Sequence, residues 1–121
     1  MQRLHAAREA RGLSVRSDLY IRLAREECRL EIPTGAYRDG EPLLMDEPIK
    51  AYFTDAERGD LDAIGHTGSG LVAYVAPFNA VPKLPCAIIR DYWRHDVLKV
   101  ETLRTFGGEL VGYKLTVAGG A

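Results

Sequence analysis

The sequence predicts a mainly β domain, a small antiparallel β-barrel or sandwich carrying an N-terminal helical arm. Three observations predict it. Short apolar runs with period-two alternation recur between residues 28 and 117, the pattern of half-buried strands. Gly- and Pro-containing turns separate them, and no helical segments alternate with them as a parallel βαβ sheet would need. The 121 residues suffice for one compact domain and are too few for two ordinary ones. The expected division is a helical arm over 1–27 and a barrel over 28–117 with a long loop at 55–70.

The arm opens with "RLHAAREARG", Arg3 to Gly12. It is rich in Ala and Arg and ends on Gly, a residue favoured just past a helix C-terminus. Leu4, Ala7 and Arg11 share one face and only Leu4 is strongly apolar, so this helix needs a surface to dock on. A second helix is expected over about 18–26, capped by Ser17 or Asp18. Cys28, Leu30 and Ile32 then alternate as a strand. "PTGAYRDGEPL" reads as turn chemistry, so a hairpin would pair 28–32 with 43–45 through a loose tip. In "IKAYFTD", Ile49, Ala51 and Phe53 oppose Lys50, Tyr52 and Thr54, which is a half-buried strand. "LVAYVAP", "CAIIRDYW", "DVLKVETL" and "LVGYKLTV" are further strands. The last two form a hairpin around Gly107-Gly108, with Val111, Tyr113, Leu115 and Val117 lining the core.

Composition narrows the classes. At 46% hydrophobic and 27% charged the chain has the make-up of a soluble globular domain, with no apolar run as long as a membrane span. The N-terminus lacks the apolar core of a secretory signal. Cys28 and Cys86 lie outside any CxxC and read as reduced, buried thiols in a cytoplasmic product. Charge is unevenly spread. Residues 1–30 hold seven Arg against four acids, and residues 31–121 hold nine bases against thirteen acids. A basic arm that includes Arg3, Arg8 and Arg11 on an acidic body permits head-to-tail contacts between copies, although these arginines also suit a solvated helix face. With no Lys/Arg run, a dedicated DNA-binding domain is not indicated.

Several motifs invite chemistry. "GHTGSG", Gly65 to Gly70, lacks the Lys-Ser/Thr and the following helix of a phosphate-binding loop, and reads as a mobile glycine-rich loop. The sixteen residues from Asp55 to Gly70 still exceed the usual loop length, and such loops are often functional. "RDYWRHD" admits three readings. Cys86, His95 and Asp91 or Asp96 form a nucleophile, base and acid. Alternatively Tyr92 and Trp93 cover an open barrel edge, or Tyr92, Trp93 and Arg94 form a protein-binding hot spot, since those residue types are enriched at such sites. His5, His66 and His95 are far apart in sequence, and Asp60 and Asp62 lack an EF-hand frame, so no metal or cofactor is expected.

The order "CRLEIPTGAYRDGEPL", "IKAYFTD", a long loop, "LVAYVAP" and "DVLKVETLRTFGGELVGYKLTV" resembles the small head-completion proteins of tailed bacteriophages. These are also called head-tail joining, neck, stopper or adaptor proteins. Val97 and Val100 match the first arm of that family's closing hairpin, and Tyr113, Leu115 and Val117 match the second. Where the family pattern has a P-x-x-G-D turn this chain has "LPCAIIRDYWRHD", which leaves open the layer of the neck: adaptor, stopper or tail completion. The resemblance implies a structural protein without enzymatic activity, made in the bacterial host cytoplasm and ending in the virion neck. Its partners would be copies of itself in a ring of six or twelve, a portal or adaptor protein, and a tail-completion or tail-tube protein. Packaged DNA would pass nearby without sequence-specific binding. In such a ring the acidic loop carrying Asp55, Glu57, Asp60 and Asp62, with His66, would line the channel, since carboxylates repel phosphates and favour sliding. A cytoplasmic SH3-like or OB-like module for a peptide or nucleic acid, and a small enzyme built on Cys86 and His95, are the alternatives.

Overall fold

The computed structural model describes residues 15–119. Arg3, Arg8 and Arg11, and the helix expected over Arg3 to Gly12, lie outside the described residues. The order is helix α1 (Val15–Arg22), strands β1 (Glu26–Arg38) and β2 (Glu41–Asp55), helix α2 (Arg58–Ala63), and strands β3 (Gly70–Val75), β4 (Ala87–Arg90), β5 (Trp93–Arg104) and β6 (Leu110–Ala118). The six strands close into a barrel in the order β1-β2-β3-β6-β5-β4, every pairing antiparallel. Closure rests on a short seam of Arg29, Leu30 and Glu31 of β1 against Ile89, Ile88 and Ala87 of β4. The expected mainly β architecture with an N-terminal helix is therefore what the chain adopts, as a barrel rather than a sandwich.

The barrel interior is filled by alternate residues of each strand. Leu30, Val75, Ile88, Leu115 and Val117 are fully enclosed, and Cys28, Ile32, Ile49, Ala51, Ala73, Cys86, Val97 and Tyr113 complete the cluster. Phe78, from the loop after β3, packs edge-on against Tyr113 with ring centroids 5.7 Å apart. A second cluster lies outside the wall. Tyr20 of α1 stacks on Tyr52 at 5.1 Å and meets Tyr74 at 4.8 Å, while Ile21 joins Val72, Tyr74 and Leu103. Helix α1 thus docks on its own barrel.

Several boundaries differ from expectation for local physical reasons. Helix α1 starts at Val15, so Ser17 and Asp18 are inside it rather than capping it, and Asp18 instead pairs with Arg22 at 3.1 Å. It ends at Arg22 because its last turn tightens, with the Leu23 N–H reaching both the Leu19 and Tyr20 carbonyls. Val111 does not line the barrel. Leu103 pairs with Gly112 and Arg104 with Leu110, which leaves Val111 as the extra residue of a β-bulge, turned to the outer cluster. Leu98 is the extra residue of a second bulge, between Val97 and Lys99. That bulge switches the inward face of β5, so Val97 points in and Leu103 points out.

The largest difference is the β1–β2 hairpin. It has no loose tip. Strand pairing continues past Pro33 and Leu44 to Arg38 and Glu41, with one irregularity between Pro33 and Tyr37. The tip is the two-residue turn Asp39-Gly40, with φ of 53° and 82°. Asn or Asp followed by Gly suits these left-handed positions, which is why so short a connection suffices.

Candidate interaction surfaces

Strand β4 meets β1 only over Arg29–Glu31, and β3 meets β2 only from Ala51 onward. Beyond about Ile32 and Met45, β1 and β2 therefore pair with each other alone and form a two-stranded ribbon. About six residues per strand at about 3.3 Å each make it about 20 Å long. Pairing and alternation put Pro33, Tyr37, Pro42 and Leu44 on one face and Leu43 and Met45 on the other. Tyr37 is 71% exposed and Leu44 46%, and Leu43 and Met45 are exposed as well. Among the described residues no third strand pairs with this ribbon, and a ribbon apolar on both faces is an unusual thing to leave in water. Pro33, Pro42 and Pro48 each lack an N–H, so strand addition along its edges is blunted. Its faces, rather than its edges, carry the exposed apolar surface.

An open groove of about 760 Å³ lies on the barrel wall at the root of this ribbon. Arg29, Pro48, Lys50 and Ile89 alternate with buried Leu30, Ile49 and Ile88, so they face outward and line it. Pro77 and Phe78 border it on one side and Asp91 on the other. Arg29 is held to Asp46 at 2.8 Å. Arg94 bonds Glu31 and lies 3.5 Å from Asp96. Arg90 binds both carboxylate oxygens of Glu26, at 2.6 and 3.0 Å, with its guanidinium 4.1 Å from the Phe53 ring centroid. The Glu26 hydrogen bond raises the Arg90 pKa further, and the Glu31 hydrogen bond does the same for Arg94.

The Tyr92-Trp93-Arg94 cluster sits at the two-residue turn joining β4 to β5. Tyr92 is completely exposed and Trp93 61% exposed, so neither covers an edge. There is no open edge there to cover, because β4 pairs with β1 on one side and β5 on the other. Alternation puts Arg94 on the opposite face from Trp93, engaged in the wall. The exposed aromatic pair remains.

The segment from Asp55 to Gly70 is not a loop throughout. It contains α2, whose Leu61 is 2% exposed. Arg58 ties the rest down, donating to the carbonyls of His66, Thr67 (3.4 Å) and Gly68 (2.9 Å) and to the Asp62 carboxylate (2.9 Å). The His66 Nε2–H donates to the Ser69 carbonyl at 2.8 Å. "GHTGSG" is thus a clipped turn rather than a mobile loop. Of the five expected channel residues, Asp55, Glu57, Asp60 and Asp62 are exposed and His66 is half-buried. Asp62 is paired with Arg58, and Asp60 borders a small polar hollow that Lys99 and Lys114 also line.

Cys86, His95 and the aspartates are not arranged as a triad. Cys86 is buried, and burial pushes its thiol up to about 11. The buried His95 uses its Nδ1–H on the Ala118 carbonyl at 2.9 Å, while Asp91 and Asp96 are exposed. Cys28 is also free, and burial raises it to about 11, with Glu26 adding to the effect. A raised folded pKa means the folded state keeps the thiol proton that the unfolded chain loses near 9. The thiols' contribution to stability is therefore constant up to about pH 9 and is lost as pH rises towards 11. Urea midpoints across that range check this. A thiol reagent at pH 7.5 should label neither cysteine until denaturant is added.

The ribbon is not legible in "PTGAYRDGEPL", which by its Gly and Pro content reads as one turn. The available signal was "EPLLMDEP", where three consecutive apolar residues between prolines must populate both faces of any strand. No family model, curated protein or solved structure matches this chain.

Proposed function

We propose that the chain is a structural neck component of a tailed-bacteriophage particle, a ring-forming protein that joins portal or head to tail and helps close the DNA channel. The observation that carries this reading is the ribbon, an apolar arm standing off a closed barrel and suited to contact rather than chemistry. The motif resemblance over residues 28–117 supports it. Rings need two different patches on each copy, and this chain exposes several: the ribbon, the wall groove and the Tyr92-Trp93 turn. The acidic segment Asp55–Asp62 lies beyond the other end of β2 from the ribbon tip. It carries four acids against Arg58 and faces the channel in this reading, where it discourages phosphate binding.

The test is sedimentation with portal-bearing heads, alongside sizing of the purified chain. Association with portal-bearing but not portal-free heads, or a ring on sizing, is the expected result. Absence of both, together with tight, salt-dependent binding of a free oligonucleotide, would instead support the SH3-like or OB-like module.

A further inference from the structure

Strand directions sort the connections between the two ends of the barrel. All pairings are antiparallel, so the β1–β2 ribbon (33–45), the β3–β4 connection (76–86) and the β5–β6 turn (104–110) leave from one end. The connection 56–69 and the Asp91-Tyr92 turn leave from the other. In the closed order β3 and β4 stand three strands apart either way round, so residues 76–86 cross the mouth of the barrel. Phe78 and Ala80 pack down on the core as the chain crosses, while Val81 and Leu84 are left more than half exposed. Beside this floor the ribbon stands up by about 20 Å. Met45 pairs with the buried Ile32, so Met45 and Leu43 lie on the ribbon face that continues the barrel interior, turned towards the floor. Phe106, in the β5–β6 turn, is exposed at the same end.

We infer that this end is covered by the same end of a second copy, related by a two-fold axis, with each ribbon's inner face on the other copy's floor. Shape favours that occupant. A flat partner meets the top of the upright or the floor, but not both, whereas two such L-shaped ends interlock. Charge favours it too. The three connections at this end carry Arg38, Lys83 and Arg104 against Asp39, Glu41 and Glu109, a balance that attracts neither nucleic acid nor a strongly charged protein. The opposite end carries Asp55, Glu57, Asp60 and Asp62 against Arg58, so a head-to-tail stack would press those acids onto apolar side chains. Of the two ends of this chain, only its own counterpart is both apolar and balanced. Area is sufficient. With a full surface on the order of 200 Å² per large side chain and somewhat under half of it exposed on average, Leu43, Met45, Val81, Leu84 and Phe106 present about 450 Å². Apolar surface is about 60% of an interface, so the whole contact is about 750 Å² per partner, close to the roughly 800 Å² of a standard one. The contact does not rest on the neck reading. It leaves the barrel walls free, and where the walls also close a ring it joins two rings back to back.

Sedimentation of the full chain at about 100 μM tests it, a concentration at which an interface of this size holds a pair. Met45→Arg with Leu84→Arg should halve the assembled mass, from two chains to one or from a double ring to a single ring. Tyr37→Arg with Leu44→Arg, on the opposite ribbon face, should leave it unchanged. Hydrogen exchange on the unaltered chain gives a second measure. Protection at Leu43–Met45 and Val81–Leu84 should rise with concentration, and protection at Asp55–Asp62 should not. A wild-type chain that stays monomeric, a mass insensitive to the Met45 and Leu84 changes or equally sensitive to those at Tyr37 and Leu44, or concentration-independent exchange would each overturn the contact. If the wild-type chain binds portal-bearing heads but never pairs through this end, the contact is wrong and the neck reading survives. If it pairs but never binds heads, the contact stands and the neck reading falls.

Discussion

Gly112→Ala should destabilise the domain by about 1–3 kcal/mol and release α1 from the barrel. Gly112 is buried on the outer face of β6, opposite Leu103. A methyl group there would lie 2.5 Å from the Val75 carbonyl oxygen and 2.7 Å from Ile21 Cδ1. The first contact is with backbone in the neighbouring strand and cannot be relieved by a rotamer change. The second is with the side chain that seats the helix. Ile21 must withdraw, and the adjacent Tyr20 then loses its stacking on Tyr52 and Tyr74. For a chain of 121 residues, 2 kcal/mol corresponds to a drop of about 8 °C in Tm. Proteolysis should cut near Leu19–Leu23 in the variant before the barrel is touched. Adding Ile21→Ala should recover only part of the loss, because the clash with the strand remains. A Gly112→Ala protein with wild-type Tm and a protected helix would contradict this account of α1 docking.

Leu115→Ala should cost about 2–5 kcal/mol, the range for emptying a fully enclosed leucine site. Leu115 is entirely buried and sits between Ala73 of β3 and Val100 of β5, where three strands converge on the barrel interior. The two neighbouring positions are too small and too constrained by their ladders to collapse into the space. Leu110, on the same strand but exposed, serves as the control, and Leu110→Ala should stay within about 0.5 kcal/mol. Urea midpoints of the two variants measure the contrast. Equal midpoints would mean that the interior face of β6 has been misassigned.

The two variants also separate what was legible in the chain from what was not. Leu115, Tyr113 and Val117 are readable as core residues because "YKLTV" alternates cleanly, and the bulge opposite it, at Leu98, lies on β5 and leaves the alternation of β6 intact. Val111 breaks the rule two residues away, since a bulge is a mismatch between two strands and neither strand shows it alone. The same holds for Leu98. "DVLKVETL" carries apolar residues at unevenly spaced positions, and only pairing with β6 shows that one of them shifts the inward face. Gly112 gives no hint in sequence of being a helix seat, because its importance comes from Ile21, ninety-one positions earlier.

The site residues divide in the same way. "CAIIRDYW" reads as one strand, so the turn at Asp91-Tyr92 that leaves Tyr92 and Trp93 exposed shows only once β4 and β5 are paired. The acids at 55–62 stand on the surface, and the clip that Arg58 makes beside them leaves no signal in the sequence, since it depends on carbonyls eight to ten residues away. Removing Arg58–Thr67 as a block would also delete Leu61 from its buried seat, so point changes at Asp55 and Glu57 probe that surface more cleanly.

Period-two patterning and turn residues determined on their own that this chain forms an antiparallel β domain with a helix before it, because side-chain alternation and backbone freedom are local properties. Closure at the β1–β4 seam, the two bulges, the docking of α1 and the length of the free ribbon were decided only in three dimensions. Each depends on where a partner strand starts or stops, and a strand does not carry the end of its neighbour in its own sequence.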